Sequence, residues 1–125
     1  MSKRPPVAKS ELEVAQIVWQ LGEASVRQVL ESLPADRHLD FKTVQTYLRR
    51  LEAKGYLRSR SEGRAKVYVP RVRRDQVVRE LINDLVHRLF DGQSLPLFQH
   101  LIQDQGLTPN ELGQLRTMLD EREKQ

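Results

Sequence analysis

Within nine residues the chain carries Lys42, Thr43, Gln45, Thr46, Arg49 and Arg50, a set of cationic, hydroxyl and amide side chains. These are the groups that meet a nucleic acid. Lys42, Arg49 and Arg50 can reach phosphates or guanine edges, and Gln45 can pair with adenine. Thr43 and Thr46 can bond phosphate oxygens or set a methyl against thymine. Further on, Arg58, Arg60, Arg64 and Lys66 suit phosphates, which give affinity without sequence information and a steep dependence on salt.

The rest of the chain offers little other chemistry. It has no cysteine, which excludes disulfides, thiolate metal sites and cysteine nucleophiles and fits a reducing cytosol. His38, His87 and His100 stand far apart, with no paired acid or nucleophile at a recognisable spacing and no glycine-rich phosphate loop, so neither an enzyme nor a cofactor is expected. Each histidine reads as a surface or structural residue. No metal site is expected either, since such a site takes three or four ligands. The apolar runs are only a few residues long, and the basic start MSKRPP has no apolar stretch behind it, so a soluble cytoplasmic protein is expected.

Charge is unevenly spread over the 125 residues. Through Arg74 there are 16 Lys and Arg against 8 Asp and Glu, and beyond it 5 against 9, within a total of +4. A basic first part implies a polyanionic partner, and the acidic remainder implies a different task.

The elements that must hold these groups can be read from periodicity. At about 100° per residue, Val44, Leu48 and Leu51 form a narrow apolar stripe and the polar set spreads over the other half of one helix. Asp40 is its expected cap and Gly55 its left-handed stop. Before it, Ser10 and Glu13 are spaced as a capping box for a helix bearing Leu12, Ala15, Val18, Trp19 and Leu21, with Trp19 a core anchor. Ser25 and Gln28 repeat that spacing for a second helix, with Val26, Val29, Leu30 and Leu33, ended by Pro34. After Gly55 the period becomes two: a strand from Tyr56, a turn at Glu62, Gly63 and Arg64, and a return strand to Pro70. Three helices and then a hairpin with a basic tip make a winged helix-turn-helix.

Residues 1–9 read as a mobile lead-in, 10–72 as the winged domain and 73–125 as a helical dimerisation region, a mainly α fold with one small β-hairpin. In the last region Val78, Leu81, Ile82, Leu85 and Leu89 make an apolar ridge widened by Val77, Val86 and Phe90. A break at Asp91 and Gly92 leads to a short apolar helix that Ser94 can cap and Pro96 can open. Thr108, Pro109 and Glu111 then start a helix whose apolar face is Leu112, Leu115, Met118 and Leu119. Such helices are expected to bury against a second copy, which would hold two reading helices at a fixed spacing on a palindromic site.

The stretches ELEVAQIVWQLGEASVRQVLESL, FKTVQTYLRRLEAKGYLRSRSEGRAKVYVP and, more loosely, TPNELGQLRTML resemble the penicillinase-repressor family, the BlaI/MecI/CopY group of bacterial winged-helix repressors. The resemblance covers nearly the whole chain. It implies a homodimer that binds double-stranded inverted-repeat operator DNA and blocks transcription. The family's DNA contacts then fall on Lys42, Thr43, Thr46 and Arg50, with wing support around Arg64 and Lys66. Arg49 is favoured by its own chemistry and not by the family pattern. The beta-lactam branch implies a membrane-sensor or protease partner that causes cleavage at an Asn-Phe bond, where this chain has His100 and Leu101, a departure that counts against that cleavage. The copper-responsive branch carries C-terminal cysteine pairs, which this chain lacks. Two rival readings use the same residues: a winged module docking an acidic protein without reading DNA, and a metal- or ligand-responsive sensor.

Overall fold

The computed structural model describes residues 4–125. The first helix, α1, spans Lys9–Leu21, and the short strand β1, Ala24–Ser25, leads directly into α2, Val26–Ser32. The helix bearing the polar set, α3, spans Phe41–Ala53. Strands β2, Leu57–Glu62, and β3, Ala65–Pro70, follow, and then helices α4, Arg74–Phe90, α5, Leu95–Asp104, and α6, Pro109–Glu123. The chain divides into two compact units, one ending at Val78 and the other Arg79–Gln125.

In the first unit α1, α2 and α3 enclose one core, in which Val14, Val18, Val29, Val44, Leu48 and Leu51 are fully buried. Burying a Val or Leu side chain contributes about 1.5–3 kcal/mol, so the stripe of α3 fixes which of its faces is left for solvent. Trp19 packs against this core and its Nε1 donates to the Val72 carbonyl at 3.1 Å. Val77, expected only to widen a ridge, is buried in the same cluster.

Three local details differ from expectation. The hairpin gains a third strand, because Ala24 and Ser25 pair antiparallel with Tyr68 and Val67, giving the order β1-β3-β2. A two-residue strand carries no periodicity by which it could be read. The helix start expected at Ser10 lies earlier: Ala8 is the cap and its N–H donates to Glu11 Oε1 at 2.9 Å, which leaves Ser10 inside α1. Finally, part of the expected lead-in is held. Tyr56 Oη donates to the Pro5 carbonyl at 2.8 Å, Lys54 Nζ donates to the Pro6 carbonyl at 2.9 Å, and the Arg4 guanidinium lies 5.4 Å from the Tyr56 ring centre. Residues 1–3 of that segment lie outside the described residues.

The second unit contains the remainder of α4 with α5 and α6. Its α4–α5 turn uses positive φ at Asp91 and Gly92, and α6 opens on the Thr108–Glu111 capping box read from the sequence. Ser94 makes no side-chain capping bond, since its backbone is already helical. Val86 is buried, whereas Leu81, Ile82 and Leu89 are 39%, 50% and 70% exposed, and Leu85, Met118 and Leu119 are exposed as well. No helix among the described residues is long and apolar enough to cross a membrane.

Candidate nucleic-acid interface

The cap of α3 forms as its sequence implies. Asp40 Oδ1 accepts from the Thr43 N–H at 2.7 Å, and the Thr43 hydroxyl followed by its N–H hold the Asp40 carboxyl below its ordinary value. Asp40 thereby satisfies one N–H of the first turn and sets its carboxylate at the positive end of the helix dipole. Gly55, at φ 90°, turns the chain out of the helix.

Along α3, Lys42, Arg49 and Arg50 are exposed, and Thr43, Gln45 and Thr46 are half-buried. Thr46 Oγ1 donates its one proton to the Lys42 carbonyl at 3.0 Å and keeps only its lone pairs for another partner. In that state Thr46 suits a thymine methyl or a base amino group better than a phosphate oxygen, which needs a donor. Thr43 has its hydroxyl drawn to Asp40, so of the two threonines it is the more tied to the helix start.

The basic residues of the hairpin do not share one surface. Directly paired residues in an antiparallel ladder point to the same face and successive residues alternate. Ser59 pairs with Tyr68 and Ser61 with Lys66, whereas Arg58 pairs with Val69 and Arg60 with Val67. Ser59 Oγ donates to Glu52 Oε2 of α3 at 2.7 Å, so Lys66 lies on the α3 side and Arg58 and Arg60 on the reverse. Arg64 follows Gly63, φ 63°, at the tip.

Arg60 is neutralised within the chain. Its guanidinium donates to both Glu23 oxygens at 3.2 and 2.8 Å and to Glu62 Oε2 at 3.0 Å, and the Arg60 hydrogen bond holds the Glu23 carboxyl below its ordinary value. Arg60, expected to serve phosphates, is thus engaged by carboxylates of its own chain. Arg49 has a partner within the chain as well, since its guanidinium interacts with the Tyr68 hydroxyl on β3.

The supports behind α3 carry no signature in the local sequence. Lys54, its C-terminal cap residue, donates to Glu11 Oε1 at 2.6 Å, and Glu11 is 2% exposed. Arg37, in the loop before α3, makes a two-pronged bond to Glu13 at 2.9 and 3.0 Å. Both pairs join residues more than twenty positions apart, which no local spacing announces.

The histidines do not form a centre. His38 is exposed, His87 Nδ1 lies 2.9 Å from the Asn83 carbonyl, and His100 Nδ1 lies 2.9 Å from Asp104 Oδ2. No group of three or more metal-ligating side chains occurs among the described residues. The bond between His100 and Leu101 lies inside α5, a hydrogen-bonded backbone less open to proteolysis than a loop.

Comparison with known proteins gives one consistent result. The family described as penicillinase repressor matches residues 7–121. The penicillinase repressor of Bacillus licheniformis is 27% identical over 121 residues, covering 97% of this chain and 94% of that one. The methicillin resistance regulatory protein MecI of Mammaliicoccus sciuri is 22% identical, with coverage of 97% and 98%. Among solved structures, the DNA-binding domain of the repressor BlaI is 35% identical with a TM-score of 0.52, covering 59% of this chain and 90% of the other. Monomeric Bacillus licheniformis BlaI in complex with the blaP half-operator is 35% identical with a TM-score of 0.50, covering 60% and 92%.

Proposed function

This chain belongs to the penicillinase repressor family, and on that premise we propose that it is a sequence-specific DNA-binding transcriptional repressor, acting as a homodimer on an inverted-repeat operator. The observation that carries the reading is the division of α3. Val44, Leu48 and Leu51 are fully buried, and the opposite side presents Lys42, Thr46, Arg49 and Arg50 next to a wing bearing Lys66 and Arg64. An exposed helix face of this chemistry fits the major groove, and a basic ribbon beside it fits the flanking backbone. The likeness to a repressor solved with its half-operator supports the same assignment.

Dimer formation is supported by the second unit, where α4 and α6 leave Leu81, Ile82, Leu85, Leu89, Met118 and Leu119 exposed. A second copy would cover these exposed side chains; Val78 of α4 and Leu112 and Leu115 of α6, also expected at the interface, are half-buried. The function so read is non-enzymatic and its place is the cytoplasm. Inducible cleavage between His100 and Leu101 is disfavoured by the helical backbone there and by the departure from the family's Asn-Phe pair.

The competing possibility, docking on an acidic protein, uses the same cations. Competition between duplex DNA and poly-glutamate at equal charge separates the two. Retention of duplex as salt rises supports the repressor, and equal displacement by both polymers contradicts it.

A further inference from the structure

Arg49 and Glu52 stand three residues apart on α3, on the flank nearest the hairpin. Glu52 accepts the Ser59 hydroxyl of β2 at 2.7 Å, and Ser59 lies directly opposite Tyr68 of β3. Tyr68 is 1% exposed and belongs to the main core. Burial first, and the Glu52 carboxylate second, push the Tyr68 hydroxyl above its ordinary value, while the Arg49 guanidinium acts the other way. Four polar groups from α3, β2 and β3 thus gather at the base of the wing.

On its reverse face the ribbon is held by the Arg60–Glu23 pair and, beside Val67, by Ser25 of β1, and on the α3 face by the Glu52–Ser59 bond. Past Ser25 only the pairs Ser61↔Lys66 and Glu62↔Ala65 run on as two strands, and all four residues are exposed. A two-stranded ribbon is marginal by itself, so the direction of its tip is set where it joins the domain.

We propose that Glu52 is a positioning residue: by accepting from Ser59 it fixes the angle between the reading helix and the wing, so that Arg64 and Lys66 meet the DNA backbone in the register that α3 dictates. The proposal rests on the DNA-binding reading. The Arg49 guanidinium, which interacts with Tyr68, lies on the same flank of α3. Glu52 itself is a carboxylate on a DNA-facing element and would be repelled by phosphate.

That repulsion gives the test its sign. Removing a negative charge near DNA strengthens binding if charge is all that matters. The brace requires the opposite, a loss of about fivefold for Glu52→Ala on a mixed-sequence duplex, with Ser59→Ala behaving alike. Arg64→Ala should then cost little further in the Glu52→Ala background, because the tip is no longer aimed, and Glu52→Gln, which keeps an acceptor for Ser59, should restore the coupling. Unchanged or tighter binding by Glu52→Ala, or an equal cost of Arg64→Ala in both backgrounds, overturns the proposal. An arm without DNA uses the absence of cysteine. Spin labels at Ala53→Cys and Ala65→Cys should give one narrow distance, broadened by Ser59→Ala, and a distribution that stays narrow overturns the brace. Failure of the unaltered protein to bind any duplex would instead count against the DNA-binding reading.

Discussion

The Lys54 ammonium and the Glu11 carboxylate meet at 2.6 Å, tying the end of the reading helix to the first turn of α1. Glu11 also accepts from the Ala8 N–H, so one buried carboxylate caps α1 and anchors α3. Burial pushes this carboxyl up, but the Lys54 and Ala8 hydrogen bonds outweigh it and the net shift is downward.

Two outcomes are expected from that pair. Lys54→Ala strands a carboxylate away from water and should lower the denaturant-unfolding free energy by about 2 kcal/mol, more than Glu11→Gln does. Because the folded value of Glu11 lies below the ordinary 4.5, its contribution is complete above that pH and is lost as pH falls through the lower folded value. The wild-type melting temperature should therefore fall more steeply with acid than that of Glu11→Gln. Parallel curves for the two proteins would remove Glu11 from the account.

On the reading helix, Lys42→Ala and Arg50→Ala should weaken binding to a preferred site by about 1–3 kcal/mol where a base contact is lost, and should narrow the gap between preferred and random duplex. Fluorescence anisotropy titrations check this. Superimposable curves for wild type and Arg50→Ala would exclude that residue from recognition.

The wing residues should behave unequally. Arg64→Ala should weaken all duplexes about alike and reduce the slope of log K against log salt by about 0.9, one phosphate contact. Arg60→Ala should leave the slope unchanged, because Glu23 and Glu62 already hold its guanidinium. Titrations across a salt series distinguish them, and an equal loss of slope for both would show that Arg60 leaves its carboxylates for DNA.

In the second unit, replacing Leu81 and Leu85 together by Glu sets charge on the exposed ridge. Sedimentation equilibrium should then report monomers where the unaltered chain forms dimers. Dimers that persist in the double variant would place the interface elsewhere.

How far the sequence foretold this structure depended on the range of each interaction. Asp40, Gly55 and the stripe of Val44, Leu48 and Leu51 act within one or two turns, as do the Ser25–Gln28 and Thr108–Glu111 boxes, and all of them form. Ser10 and Glu13 have the same spacing but do not cap, since Glu11 reaches the Ala8 N–H and Lys54 together and Glu13 is taken by Arg37. Strand β1 exists only because β3 lies beside it. The candidate interface was legible as a set of cations. Which of them are neutralised, as Arg60 is, and which face each occupies depend on strand register and on partners distant in sequence.

The most direct test is selection of duplexes from a random-sequence pool by the full chain at fixed salt. The account predicts enrichment of one inverted repeat, with half-sites spaced about 10–10.5 bp or a multiple apart and bound by two protomers. A pool that stays random, or that yields single half-sites without symmetry, would contradict it.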